Sequence, residues 1–242
     1  MERVNEIFPM DCDRRSDGYK CKETYMKSIV LLHTLRSVLD TFEPLLREVL
    51  DYDVKIHNVL DEFLVTDVTE KGMFTPDNHR RLLNDLVNAQ LTGADVIVVT
   101  CSSLTPFIAR ARAFFSVPIV AIDDAMTSNA VRLGRRIAVL ATAFTTIGPT
   151  VDKIQADAMN IGEEIEITTQ LCPEAIAALK RGDMTTHDDL VLDMVKKVNA
   201  AEVIVLAQAS MAHLQEQAER IAGVPVLASP RLCCELVRDL LV

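Results

Sequence analysis

Short, continuous apolar runs alternate along the chain with longer segments in which apolar residues recur at helical spacing. Strands covered by helices on both faces are apolar throughout, so this alternation is typical of parallel sheets in an α/β protein. The apolar runs predict strands at residues 28–33, 54–60, 96–100, 117–122, 136–141, 164–168, 203–207 and 224–228. The helical spacing predicts helices at residues 41–49, 76–90, 106–114, 150–159 and 186–198 and from about residue 212.

Two segments of the chain repeat one another. Residues 94–126 align without a gap with residues 201–233, at an offset of 107 and with nine identities in thirty-three positions. The strand IVLLHT (29–34) also matches IAVLAT (137–142) weakly. The repeat predicts two copies of a small α/β unit packed around a pseudo-two-fold axis. The predicted parts are an N-terminal extension at 1–27, a first lobe at 28–118 plus 228–242, and a second lobe at 119–227.

Composition and charge restrict the partners of the protein. The chain has 242 residues, about half of them apolar, and a net charge of −10 without a basic stripe, which predicts neither a nucleic-acid partner nor an anionic membrane partner. Its apolar runs are too short to span a bilayer, and residues 1–25 lack the apolar core of a signal peptide. The six cysteines contain no CxxC pair, which predicts reduced thiols and a cytoplasmic location.

Polar side chains follow four of the predicted strands. Parallel α/β folds bind ligands at the carboxyl ends of their strands. The turns that lead from these strands into helices offer free backbone N–H groups, which suit a carboxylate. We therefore predict a site for a small carboxylate substrate between the two lobes. Its candidate binding residues are Thr34, Thr100, Ser102, Ser103, Thr142, Thr145, Thr146 and Ser210.

The repeat aligns Cys101 with Gln208, a thiol with an amide. A thiol near the start of a helix has its thiolate form favoured, so Cys101 is a candidate to remove a proton beside a carboxylate or to attack a double bond. A buried structural cysteine is the competing interpretation. Gln208 does not titrate near neutrality, but its amide is a candidate donor to developing negative charge.

The ordered motifs resemble those of the aspartate/glutamate/hydantoin racemase superfamily over about residues 28–242. VIVVTCSS (96–103) resembles its first cysteine motif, and VLAQASMA (205–212) stands where its second motif has Gly-Cys and Met-Ala. IDDAM (122–126) and LATAFTT (140–146) resemble its Gly-Glu-Ala element and its second carboxylate-binding loop. The resemblance implies two flavodoxin-like parallel-sheet lobes, no cofactor, and a homodimer or higher homo-oligomer.

The resemblance also implies a chemistry. In racemases of this superfamily two thiols flank the α-carbon, one removing a proton and the other delivering one, and Gln208 replaces the second thiol here. We predict a racemase or isomerase that acts at the carbon α to the carboxylate of a small amino acid or derivative, with Cys101 as acid/base. A one-base decarboxylase or tautomerase of the arylmalonate decarboxylase type is an alternative. A non-catalytic carboxylate-binding protein is another.

Other side chains are candidates for the second acid or base. His33 follows the first strand and is a candidate catalytic residue, with a positioning role as the competing interpretation. Four acids also follow strands and are further candidates, with a role as solvated caps as the competing interpretation: Asp61, Glu62, Asp123 and Asp124. The remaining histidines lack HxH or HExxH spacing, so no metal site is predicted, and His187 is expected on the surface. No glycine-rich nucleotide motif occurs.

Overall fold

The computed structural model describes residues 26–242, so the predicted extension at 1–27 lies outside the described residues except for its last two positions. Within this range eight strands alternate with ten α-helices. The strands are β1 (Ser28–His33), β2 (Lys55–Leu60), β3 (Val96–Val99), β4 (Ile119–Ala121), β5 (Arg136–Ala141), β6 (Glu166–Leu171), β7 (Val203–Leu206) and β8 (Val226–Ala228). The helices are α1 (Arg36–Leu50), α2 (Phe63–Lys71), α3 (Pro76–Leu91), α4 (Thr105–Ala111), α5 (Asp124–Leu133), α6 (Phe144–Ile161), α7 (Pro173–Lys180), α8 (Met184–Lys196), α9 (Gln215–Ala222) and α10 (Ser229–Leu241).

The strands form two parallel sheets with the same topology. One sheet has the order β2-β1-β3-β4 and the other has the order β6-β5-β7-β8. Each sheet has an apolar core on both of its faces. The predicted α/β fold of two parallel-sheet lobes is confirmed, because the second sheet repeats the first strand for strand.

Strand register brings the chemically interesting turns to one edge of each sheet. Leu32 of β1 pairs with Val99 of β3, and Leu140 of β5 pairs with Leu206 of β7. The residues that follow these strands therefore leave each sheet side by side. This is the edge at which parallel α/β folds bind ligands.

Two elements near the predicted boundaries pack with the first lobe. Strand β4 pairs with β3, so the sheet of the first lobe runs past the predicted boundary at residue 118. Helix α10 crosses back to the first lobe, where Cys233 and Cys234 are buried in one core with Ile29. The adjacent cysteines are therefore packing residues.

The spacing of apolar residues did not predict every helix. Helices α2, α5 and α7 were not predicted, and α6 begins six residues before the predicted start at residue 150. Helix α5 is rich in residues with weak helix propensity, such as Thr127, Ser128 and Asn129. It is stabilised by packing, since Met126 and Ala130 are buried against the second sheet. Tertiary burial thus outweighs local propensity in this helix.

Trimming the core of the second lobe should cost measurable stability. Ile204 of β7 is fully buried. The Ile204→Val variant loses one methylene and should lower the free energy of unfolding by about 1 kcal/mol in urea titrations. Ile161→Val, at the half-exposed end of α6, is the matched control and should stay within about 0.5 kcal/mol of wild type. Equal losses in the two variants would contradict this placement of the core.

Candidate active site

The turn after β3 contacts the second lobe. It is a three-residue 3-10 turn, Ser102–Leu104, directly after Cys101. The Ser103 hydroxyl donates to the carbonyl of Thr145 in α6 at 3.2 Å, and the Ser102 hydroxyl approaches the carbonyl of Ala207 at 3.5 Å. Predicted site residues from both lobes therefore lie in contact with one another.

A proline explains why α6 offers a free carbonyl at this point. Pro149 lies inside α6, and proline has no N–H to donate to the carbonyl four residues earlier. That carbonyl belongs to Thr145, and it accepts the hydrogen bond from Ser103 instead. The proline therefore costs the helix one backbone hydrogen bond and gives the Cys101 turn a fixed anchor.

Cys101 is partly buried beneath the hydroxyl of Thr34. Burial raises the pKa of the thiol, and the charge of Asp123 raises it further. Hydrogen bonds from Thr34 and Ser103 lower it by less. The expectation that a helix start lowers this pKa is wrong, because burial outweighs the hydrogen bonds to the thiol. The thiol is therefore protonated near neutral pH.

Gln208 occupies the corresponding position in the second lobe. Its side-chain oxygen accepts from the backbone N–H of Thr142 (2.5 Å), the hydroxyl of Thr142 (2.9 Å) and the backbone N–H of Ala143 (3.0 Å). Backbone N–H groups only donate, so the amide oxygen must face them. The Nε2 group of Gln208 has no hydrogen-bond partner among residues 26–242. It is therefore free to donate to a ligand.

Cys101 and Gln208 have equivalent threonine neighbours in the two lobes. Thr34 and Thr142 end the matched strand segments IVLLHT and IAVLAT, and each contacts the variable residue of its own lobe. Thr34 meets the thiol of Cys101, whereas Thr142 meets the amide of Gln208. Donors that the sequence assigned to a substrate carboxylate at Thr142 are thus already satisfied by Gln208.

His33 is fully buried, and both of its ring nitrogens are engaged. Asn58 donates its amide to Glu43, so its oxygen faces His33 and accepts from Nε2 at 3.1 Å. Nδ1 then carries the lone pair and accepts from the hydroxyl of Thr100 at 2.8 Å. Burial lowers the pKa of His33 and outweighs the opposing influence of Asn58 and Glu43. The imidazole is neutral and holds the residue that precedes Cys101.

Asp123 contacts the turn that carries Cys101. It is fully buried and accepts hydrogen bonds from Ser102 (2.9 Å) and Thr105 (3.2 Å). Burial raises the pKa of Asp123 to about 7, despite those two hydrogen bonds. From the sequence, Asp123 was only one of four acids that follow strands. The residues that contact it, Ser102 and Thr105, follow a different strand, so the sequence pattern does not link them to it. Its carboxyl ties the turn that carries Cys101 to the end of β4.

Neutralising Asp123 should change how stability depends on pH. Its pKa is about 7 in the folded protein against 3.8 for the free side chain, so the folded state retains a proton that the unfolded chain releases in between. Wild-type stability should therefore fall as pH rises from about 4 to 7, by up to about 4 kcal/mol from this group. Asp123→Asn should remove that slope and exceed wild type in stability above pH 7, measured by urea titration at several pH values.

A matched control separates burial from charge removal. Asp152→Asn removes one carboxylate from the exposed face of α6 and should leave the pH dependence unchanged. If Asp123→Asn keeps the wild-type slope between pH 4 and 7, Asp123 is not the buried proton store described here.

The other acids named from the sequence serve local structure. Asp61 forms an ion pair with Arg81 and accepts from the backbone N–H of Phe63. Asp124 forms ion pairs with Arg112 and Lys153. Glu62 lies exposed at the start of α2.

Three of the predicted binding hydroxyls remain available. The side chains of Thr145 and Thr146 form no hydrogen bond within the described chain. The hydroxyl of Ser210 is buried and likewise has no partner there. All three belong to the second lobe, which also carries the free amide of Gln208. A buried hydroxyl without a partner is costly, so Ser210 is suited to receive a ligand oxygen.

These features define a two-lobed parallel α/β protein with equivalent polar strand ends, one bearing a thiol and the other an amide. The sequence profile of the Asp/Glu/Hydantoin racemase family matches residues 37–237. The chain belongs to this family, as the sequence motifs indicated. A relative in Schizosaccharomyces pombe, described as an uncharacterized protein, is 22% identical over 160 residues, which cover 64% of this chain and 67% of the relative.

Solved structures share the fold at low sequence identity. A glutamate racemase isoform from Bacillus anthracis matches with a TM-score of 0.66 and 14% identity, over 89% of this chain and 81% of that one. An allantoin racemase from Klebsiella pneumoniae matches with a TM-score of 0.62 and 16% identity, over 89% and 88% of the two chains. An aspartate racemase from Picrophilus torridus has a TM-score of 0.61 and 14% identity, over 88% and 94%. Across residues 26–242, none of the helices combines the length and apolar composition needed to cross a membrane.

Proposed function

We propose that the protein is a cofactor-independent racemase or isomerase that acts at the carbon α to the carboxylate of a small amino acid or derivative. The observation that carries the proposal is the pair of equivalent positions, Cys101 beneath Thr34 and Gln208 beneath Thr142, at one cleft between the lobes. Cys101 is the acid/base of the reaction. Membership of the racemase family supports this class of chemistry.

The free donors favour one orientation of the substrate. Gln208 and the unpartnered hydroxyls of Thr145, Thr146 and Ser210 all belong to the second lobe. We assign the substrate carboxylate to this lobe and the α-carbon to the side of Cys101. Thr34 and Ser103 are assigned to the thiol itself, while Thr100 and Ser102 hold the turn through His33 and Asp123.

The proposed step transfers one proton at the α-carbon. The thiolate of Cys101 removes the α-proton, and the electron pair of the broken C–H bond moves into the carboxylate to form an enediolate. The Nε2 group of Gln208 donates to the enediolate oxygen, where negative charge increases. Reprotonation of the carbon by a water molecule on the opposite face inverts the centre, and the hydroxide that remains takes the proton back from Cys101. Return of the proton from Cys101 itself retains the centre.

One observation favours the one-base alternative, a decarboxylase or tautomerase. The raised pKa of Cys101 keeps the thiol protonated near neutral pH, which is the state that a proton donor to an enediolate requires. Loss of carbon dioxide from a substituted malonate leaves the bond electrons on the remaining acid as an enediolate. Cys101 then delivers its proton to the carbon. Gln208 stabilises charge in this reaction too and needs no proton of its own to transfer.

Proton NMR in heavy water distinguishes these reactions. Wild type and Cys101→Ala are incubated with a panel of amino acids, hydantoins, hydroxy acids and substituted malonates. Exchange at the α-carbon with inversion, lost in Cys101→Ala, supports the racemase. Exchange with retained handedness, or decarboxylation, supports the one-base enzyme. Binding of panel members without any turnover supports the third reading, a non-catalytic carboxylate-binding protein.

A further inference from the structure

Three side chains from two elements meet on the second lobe. His187 and Asp188 belong to α8, and His213 belongs to the 3-10 segment Ala209–Leu214 that follows β7. Nδ1 of His187 lies 2.8 Å from Oδ1 of Asp188, and Nε2 of His213 lies 2.9 Å from the same oxygen. The three candidate ligand atoms all lie within 4.8 Å of one another.

The surroundings of His187 are unusual for a histidine near a helix start. It is fully buried, so the expectation of a surface role is wrong. Its Nδ1 faces the cluster, while its Nε2 is buried without a hydrogen-bond partner in the described chain. Because Nε2 lies outside the cluster, Nδ1 is the ring nitrogen that His187 offers to a ligand there.

Asp188 lies at the centre of the cluster. A single carboxylate oxygen, Oδ1, is within hydrogen-bond distance of a ring nitrogen of both histidines. An anion between two imidazoles is a donor set that suits a divalent transition metal.

We propose that His187, Asp188 and His213 bind a divalent transition metal ion, with Zn²⁺ as the best match to two imidazoles and one carboxylate. Zinc ligands lie about 2.0–2.2 Å from the metal, so each pair of ligand atoms must lie within roughly 4 Å. His213 can close the remaining gap because its side chain is 46% exposed and free to rotate. The same exposure leaves a fourth coordination position open to solvent. Metal binding displaces the protons now shared in the two hydrogen bonds.

The site would connect the core of the second lobe to its cleft. Helix α8 buries Val191 and Val195 in that core, and the segment with His213 begins directly after Gln208. A metal shared by α8 and this segment would hold Gln208 and Ser210 in register with the cleft. The metal site rests on its own contacts and does not depend on the reaction proposed for Cys101.

Titration of the full-length protein with Co²⁺ tests the proposal. After treatment with a chelator and its removal, one equivalent of Co²⁺ should bind with visible absorption typical of nitrogen and oxygen ligands. Zn²⁺ should displace the Co²⁺ and raise the thermal midpoint in a concentration-dependent way. His213→Ala and Asp188→Asn should each weaken Co²⁺ binding at least about 100-fold, since loss of even an outer-shell partner weakens metal binding about 10–100-fold.

Controls separate this site from other donors. His57→Ala removes an exposed histidine from β2 of the first lobe and should bind Co²⁺ as wild type does. Far-UV circular dichroism should be unchanged in His213→Ala, whose side chain is half exposed. No stoichiometric binding, binding that survives both His213→Ala and Asp188→Asn, or sulfur-to-cobalt charge-transfer bands from a thiolate site would each overturn the proposal.

Discussion

Cys101→Ala should lose about 10²–10⁴-fold in kcat/KM for any substrate of the panel, while its thermal midpoint changes little. The reason is chemical, because alanine has no proton to give or take, and only one of the two equivalent cleft positions carries a titratable group. The measurement is the rate of α-proton exchange or decarboxylation in heavy water. The thiol is partly buried, so the variant should unfold within about 1 kcal/mol of wild type.

Cys172→Ala is the matched control for this result. Cys172 is also partly buried and follows β6 of the second lobe, at the start of α7. Its loss should leave the exchange rate within about twofold of wild type, in line with a surface substitution away from the site. Full activity in Cys101→Ala, or equal losses in the two variants, would remove Cys101 from the chemistry.

Gln208→Glu should lower kcat/KM about 10²–10³-fold with little change in fold. A glutamate has the same shape, and one of its oxygens can accept the three hydrogen bonds now made by Thr142 and Ala143. Its second oxygen replaces the free Nε2 donor, so attraction to the substrate carboxylate becomes repulsion between like charges. The measurement is again exchange in heavy water, with KM and kcat determined separately.

Gln217→Glu adds the same charge on the exposed side of α9 and should be neutral. If Gln208→Glu is equally neutral, Gln208 does not face the substrate.

A second variant, Gln208→Cys, places a thiol opposite Cys101. In a one-base enzyme that variant should begin to invert the α-carbon, because a proton can then arrive from the second face. Product that keeps its handedness in Gln208→Cys would show that the second position cannot deliver a proton.

The parallel strands and their repeat were predictable from the sequence. Strands β3 and β7 are apolar at every position, and their sequences, VIVV and VIVL, predict both a strand and its burial on two faces. The alignment of the halves paired Cys101 with Gln208 before any geometry was known. That inference needed only local pattern and the rule that equivalent strand ends share an edge.

Helices with weak signals were harder to predict. Helix α5 contains residues of low helix propensity and forms because Met126 and Ala130 pack on the second sheet. Helix α6 begins at Phe144 and continues through Gly148 and Pro149, two residues that disfavour a helix interior. In both helices the deciding free energy comes from contacts that lie far away in sequence.

By itself, the sequence determined the two parallel-sheet lobes, the racemase family and the thiol–amide pair, because strand periodicity and the internal repeat are written in neighbouring residues. Only the tertiary structure decided the protonation of the Cys101 thiol and the orientation of the Gln208 amide. The pKa of Cys101 is raised instead of lowered, since desolvation depends on what packs above the thiol. Likewise, His213 reaches Asp188 across 25 positions of sequence because α8 packs beside the turn after β7, and no spacing motif records that contact.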